Sequence, residues 1–538
     1  MITFKQKALF SAIAGAGALA LTGAANAVYV NHDGLGQVLV YPYYTARDGV
    51  ATLLSVVNTT NNAKIVKVRF LEGKNSQEVL DFNLFLSPFD VWTGAVLPAG
   101  QAAADLLPGY TAPGPLGGGM LVTGDRSCTN PKIPAVGAAF RNFQYSADTT
   151  VAANQAMDRS MEGYVEMIEM AEIVSTSSLW ADVKHTKANS WTPSCALVSH
   201  ASVSANAAAW LTGPRGGLFG AGTLLNASGG TNTGYDATAL NDFWSSASSS
   251  QYTQPGSTLP SLNSADGLTS IVQNGSNVYI TNWAASSSSL RGADAVSTVI
   301  MHSKVMNEYA HTDDGVVGTD WVMTMPTKRF YVFPAPVRRP FQTAWNGRTA
   351  RDDFGVSDTD REEFISTSIT TDDFSPGPTG TAADCTATTS SQSSQPLVTV
   401  AASLCYEANV LGFGTIQSSA KSNVLSSANF FNLVNAAQNS GAAVPTVGKE
   451  GGWAAITFPT IVGSTTAHML PAPSGATQLI NLAAPSAPTS LTEATYLGLP
   501  VIGFAIVQAK KAGAGADRYA SSYNHKYQVE VQLPRTAP

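Results

Sequence analysis

The sequence predicts a mainly β protein: antiparallel β-sandwich domains with long Ser/Thr/Gly-rich loops and few short helices. Three observations carry that class. Runs rich in Val, Leu, Phe and Tyr occupy residues 37–44, 52–58, 64–71 and 78–86, about ten residues apart. Two of them alternate with period two: Val66, Val68 and Phe70 against Lys67 and Arg69, and Leu80, Phe82 and Leu84 against Asp81 and Asn83. Between the runs lie Asn58-Thr59-Thr60-Asn61-Asn62 and Gly73-Lys74-Asn75-Ser76, which is turn chemistry. Evenly spaced short strands joined by short turns read as an antiparallel sandwich.

The chain opens on a predicted secretory signal peptide, residues 1–27. Lys5 and Lys7 supply the basic start, Ala8–Leu21 the apolar stretch, and Ala25-Asn26-Ala27 a small-x-small cleavage site. The apolar stretch is too short and too rich in small residues for a good membrane span. The mature chain is expected to begin at Val28, to carry no transmembrane span and to work outside the cytoplasm, at the cell surface or secreted rather than in the periplasm. Removal of residues 1–27 leaves 511 residues and moves the formal charge from −7 to −9, because only Lys5 and Lys7 are lost.

Charged residues make up 12 % of the chain, about half the globular norm. Hydroxyls and amides replace ions at the surface. A mildly acidic chain lacks the clustered Lys and Arg of a nucleic-acid partner, and it is not drawn to an anionic membrane.

Further along, Pro88 stops the first ladder. Residues 98–119 read as loop, with Pro98, Pro108, Pro113, Pro115 and three consecutive glycines at 117–119. Residues 161–173 fit two patterns. Glu162, Glu166, Glu169 and Glu172 share a helical stripe, but like charges at i,i+4 weaken a helix, so a strand is preferred. Residues 217–226, 320–333, 454–462, 497–508 and 525–533 are further strand candidates, and 397–434 mixes strand and helix patterns. Serine-rich 245–266 and 284–289 read as surface loops, and 371–396 as linker or exposed loop. The organisation expected is a β-sandwich region over 28–340, an acidic and Ser/Thr-rich linker or loop over 341–400, and a β-rich region over 401–538.

Four cysteines, Cys128, Cys195, Cys385 and Cys405, are an even number in an oxidising compartment, which predicts two disulfides. Of three possible pairings, proximity favours Cys128–Cys195 and Cys385–Cys405. No CxxC occurs.

Candidate chemistry is sparse. GxSxG is absent, and so are HExxH and HxH. His302 and His311, with Asp313 and Asp314, form the closest metal-type grouping, against the simpler reading of a polar loop. Asp352, Asp353, Asp358, Asp360 and Glu362 supply closely spaced hard oxygen ligands of the kind calcium takes, and calcium is the one cofactor the sequence offers. Glu363 stands sixth from Asp358 where an EF-hand loop needs Gly, so the pattern is not an EF-hand; a solvated acidic surface run without a cofactor is the preferred reading. Glu166 and Glu169 could serve glycoside hydrolysis if they faced a cleft, but an exposed acidic face is the preferred reading. Tyr41, Tyr43, Tyr44 and Trp92 are the aromatics available for surface binding, although aromatics at strand positions are more often core. Gly216-Gly217-Leu218-Phe219-Gly220 lacks the Lys-Ser or Lys-Thr of a P-loop and reads as a turn or strand edge.

Four segments resemble a group of exported proteobacterial surface proteins with no established activity. They are Gly34-Leu35-Gly36-Gln37-Val38-Leu39-Val40-Tyr41-Pro42-Tyr43-Tyr44, Asp81-Phe82-Asn83 through Trp92-Thr93-Gly94, Asp320-Trp321 through Lys328-Arg329-Phe330-Tyr331, and Gly498-Leu499-Pro500-Val501-Ile502-Gly503-Phe504. The resemblance implies export and a shared fold, and it lends no catalytic residues.

The sequence therefore leads to an exported, non-enzymatic protein with a structural, adhesive or assembly role, in which a sheet scaffold and polar loops meet a cell-surface partner or another copy. Two alternatives stand beside it: a secreted hydrolase of a polymer or ester whose active site has no motif, and a periplasmic ligand-binding module.

Overall fold

A computed structural model of the chain describes residues 27–100, 117–227, 229–246, 248–312, 316–360, 365–369, 388–389, 400–413, 422, 424–432, 451–458, 468–484, 487–510 and 518–533. Over these residues the protein is mainly β, with several antiparallel sheets and few short helices. The first half of the chain supplies β1 (Ala27–Val30), β2 (Val38–Thr45), β3 (Val50–Asn58), β4 (Ala63–Glu72), β5 (Glu78–Leu86), β6 (Val91–Pro98), β7 (Gly119–Val122), β8 (Cys128–Asn130), β9 (Ala138–Ala139), β10 (Glu162–Ile173), β11 (Leu211–Thr212), β12 (Leu218–Asn226), β13 (Thr231–Asp236), β14 (Thr238–Asn241), β15 (Thr269–Asn274) and β16 (Asn277–Asn282). The four apolar runs of the sequence are β2 to β5, and the glutamate-bearing stretch is the strand β10.

Two sheets pack face to face. One has twelve strands and contains the run β15-β1-β14-β2-β10-β4-β5-β8; the other is β13-β12-β3-β6-β7-β9. Period-two side chains of β4 and β10, Val66, Val68, Phe70, Val165 and Met167, share a core with Leu54, Val56, Trp92 and Leu218 of the smaller sheet. Gly220 makes one close approach possible: a Cβ there would lie 2.0 Å from the Tyr41 hydroxyl, which donates to Ser55 O at 2.7 Å.

The opposite face of the large sheet is covered too. Helices α1 (Ser178–Val183) and α2 (His200–Trp210) set Leu179, Val183 and Val203 against Ile65, Phe85 and Met170. The disulfide Cys128–Cys195 joins β8 to the segment before α2. The serine-rich stretch read as a surface loop straps across this face: Gln251 N donates to Met170 O at 2.7 Å and Asn83 Nδ2 to Thr253 O at 2.8 Å. Further along, α3 (Arg291–Val299) packs Ala295 and Val296 beside Val28 and Ile168.

β1 sits inside the large sheet, antiparallel to β14 and parallel to β15. Val28 is fully buried. Four residues beside the predicted cleavage site thus stitch β15 and β16 to the remaining strands.

A second core follows. Val317–Thr324 pairs with Ala408–Phe413 on one side and Ile502–Lys510 on the other. Alternate residues of these strands serve two cores. Val322, Val410 and Phe504 join the first, while Trp321, Leu411 and Ala505 pack with Tyr309, Phe354 and Ile456. The strand candidate 320–333 ends early: Pro326 intervenes, and Lys328–Val332 forms the short helix α4.

The boundaries expected near 340 and 400 do not separate independent groups of strands. Thr477–Asn481 pairs with β16, and Asp352–Asp360, expected within a linker, is a strand between Val400–Leu404 and Gly451–Thr457. Pairing across such separations leaves no local mark in a sequence. Residues 1–26 and Cys385 lie outside the described residues. Cys405 is disulfide-bonded.

Candidate functional site

The residues singled out from the sequence go mostly to the interior. Tyr41, Tyr43, Tyr44 and Trp92 are buried core side chains. Asp352, the first of the proposed calcium ligands, is fully buried and pairs with Lys328 Nζ at 2.7 Å. Asp353, next on the strand and so on its opposite face, accepts from Ser403 Oγ at 2.7 Å. The pair therefore does not converge on one cation. Asp358 and Asp360 continue the strand, and Glu362 lies outside the described residues. Among the described residues no group of three or more His, Cys, Asp or Glu could hold a metal. His302 is partly buried with its ring stacked on Tyr527, and desolvation pushes its pKa down to about 3. His311 is buried beside the Tyr309 ring, while Asp313 and Asp314 lie outside the described residues.

The preferred reading of the β10 glutamates as an exposed acidic face is overturned. Glu162, Glu166 and Glu169 are buried, and each meets a base from another strand or turn. Glu162 takes Arg47 Nε at 2.8 Å, Glu166 takes Arg69 Nη1 at 2.7 Å, and Glu169 takes Lys64 Nζ at 2.8 Å. Register explains the pairing, since Glu166 stands directly opposite Arg69 on β4. Burial raises the Glu166 carboxyl to about 6 against the pull of Arg69. Glu169 also accepts from Gly216 N at 2.6 Å, so the glycine-rich turn presents its amide to a protein carboxylate. These charges are paired inside a packed sheet, and Glu162, Glu166 and Glu169 line neither of the concave features described next.

Two concave features stand out among the described residues. The first is the outer face of the six-stranded sheet. Cross-strand register sets out rows: Phe219, Val57 and Val91; Ala221, Ser55 and Thr93; Thr223, Leu53, Ala95 and Val122. None of these side chains is charged. Leu53, Val91 and Phe219 are 39 %, 46 % and 42 % exposed, although large apolar side chains are usually withdrawn from water. A shallow groove of about 590 Å³ runs between Leu53, Thr93, Ala95, Val122 and Thr223. Four strands about 4.8 Å apart and some six residues long give a face on the order of 400 Å², shared between these apolar side chains and the hydroxyls of Ser55, Thr93 and Thr223 and comparable with the largest patch on an ordinary monomer.

The second is a cavity of about 390 Å³ between α3, the turn after β16, the residues following α4 and Met469–Pro471. Trp283, Leu290, Asp294, Tyr331, Arg338 and Pro471 line it. Asp294 Oδ1 accepts from the Tyr331 hydroxyl at 2.8 Å, and that hydroxyl lies 3.1 Å from Ser297 Oγ. Ser297 in turn donates to Thr327 Oγ1 at 2.8 Å. Burial lifts the Asp294 carboxyl to about 6, against the Tyr331 hydrogen bond and the Arg338 charge.

Neither feature was named from the sequence. The sheet face had a signal in Leu53, Ser55 and Val57, outward positions of a strand that carries no charge. Asp294 had one as the single carboxylate between the small and apolar residues Ala293, Ala295 and Val296 of the helix Arg291–Val299. No protein-family model, curated protein or solved structure matches the chain.

Proposed function

We propose that this chain is an exported structural protein of the cell surface or extracellular space, and that it assembles with copies of itself through the outer face of the six-stranded sheet. The observation that carries the reading is the uncharged patch around Leu53, Val91 and Phe219 on a chain of net negative charge. Two acidic copies repel over most of their surfaces. The four strands β12, β3, β6 and β7 of this face turn no charged side chain outward, and Asp236 of β13, exposed beside Ala221, marks the edge of that stretch; two copies meet there at the least like-charge cost, and apolar burial supplies the attraction. The predicted signal segment, the sparse ionic character and the Cys128–Cys195 disulfide support an address outside the reducing cytoplasm. The fold serves the role as scaffold: the two packed sheets hold the grooved face in place, and buried ion pairs tie together the strands behind it.

Light scattering on the mature chain tests the assembly. The native protein should form dimers or larger species in the micromolar range. A Leu53→Asp/Phe219→Asp double variant, with unchanged circular dichroism, should weaken association at least tenfold. A native protein that stays monomeric up to 100-fold higher concentration would refute the reading.

A further inference from the structure

The cavity beside α3 has the features of a small-ligand site that the assembly face does not use. Its floor is Asp294, 5 % exposed, in the first turn of the helix. One carboxylate oxygen is engaged by the Tyr331 hydroxyl; Oδ2 has no partner among the described residues. Holding a charge on so buried a carboxylate is costly, and the Tyr331 hydrogen bond and the Arg338 charge offset that cost only in part. Arg338 and Arg339 stand at the exposed rim. Between floor and rim the walls are apolar: Trp283, Leu290, Leu470 and Pro471. The volume of about 390 Å³ falls within the range of small-molecule pockets.

Three chemical demands follow, in spatial order. The floor calls for a cation, the walls for an apolar body, and the rim for an anion. A neutral sugar would give Asp294 only hydroxyl donors and would leave the rim unanswered. A purely anionic ligand would meet the rim and repel the floor. A zwitterion with an apolar side chain answers all three.

We propose that this cavity binds an apolar α-amino acid, with the ammonium on Asp294, the carboxylate toward Arg338 and the side chain against Trp283 and Pro471. Asp294 is the recognising group and Arg338 an orienting one. The inference stands apart from the assembly reading, since the cavity and the sheet face share no lining residue.

Isothermal titration of the full mature chain with L-leucine, L-leucinamide, N-acetyl-L-leucine and glucuronate separates the arms. Leucine is expected to bind. Leucinamide, which keeps the ammonium and loses the carboxylate, binds several-fold more weakly. N-acetylleucine, which loses the cation, does not bind. Asp294→Asn keeps an acceptor for Tyr331 and should abolish leucine binding. Arg338→Ala should weaken leucine and leave leucinamide unchanged. Ser287→Trp, which fills the cavity from an exposed turn, gives a second loss-of-binding variant independent of the buried carboxyl. The inference is overturned if leucine fails to bind the native chain, if Asp294→Asn binds it unchanged, or if glucuronate or N-acetylleucine binds instead.

Discussion

Lys64 Nζ lies 2.8 Å from Glu169 Oε1, and neither side chain is exposed to water. The same ammonium meets Glu172 Oε1 at 2.8 Å. One base thus holds two strand acids, and Glu169 passes the constraint on to the Gly216 amide at the start of β12. The contact ties the large sheet to the strand whose outer residues form the assembly face.

Removing that base should be expensive. Lys64→Met leaves two buried carboxylates without their cation and is expected to lower the unfolding free energy by about 3–5 kcal/mol. Glu172→Gln keeps the Lys64–Glu169 pair and should cost less. Urea melts of both variants with unchanged slope check the order.

The Cys128–Cys195 disulfide closes a loop of 67 residues. In the chain-entropy model a loop of that length is worth about 4 kcal/mol. Cys128→Ser/Cys195→Ser should lose about that much, and α1 and α2, which pack beside the bridge, should show the first loss of amide protection in hydrogen exchange.

Asp294 gives a pH signature. Its folded carboxyl sits at about 6, above the ordinary unfolded value near 4. An acid with a raised folded pKa favours the fold when protonated. Its contribution is complete below about pH 4 and fades as the pH rises through 6. The loss is on the order of 2–3 kcal/mol between those limits. Tyr331 and Arg338 are the titratable and charged groups that face it. Chemical denaturation from pH 4 to pH 7 should show this slope in the native chain and a shallower one in Asp294→Asn.

β1 predicts a local effect from a terminal change. Val28→Asp places a charge at a fully buried position of the strand between β14 and β15. Amides of β15 and β16 should exchange faster than those of β4 and β10, because the first pair reaches the rest of the sheet through β1.

The strands were legible where one chain segment carries its own alternation. Val66, Val68 and Phe70 announced β4, and like-charge repulsion between Glu162 and Glu166 tipped β10 from helix to strand. What could not be read were contacts made by distant segments. Glu169 looked solvated because Lys64 stands 105 residues away. Asp352 looked like a calcium ligand because Lys328, its cation, belongs to a different element. The linker at 341–400 looked polar because its strand borrows apolar neighbours from Gly451–Thr457. The two concave features were invisible for the same reason: the outer rows of Leu53, Ala95 and Thr223 exist only once three strands are in register.

Oxidative footprinting by mass spectrometry, on dilute and concentrated mature chain, tests the assembly face residue by residue. The account predicts that Leu53 and Phe219 lose reactivity as concentration rises, while Phe143 and Trp191, 81 % and 58 % exposed at other surfaces, stay equally modified. Unchanged modification of Leu53 and Phe219 at concentrations where the protein self-associates would contradict it.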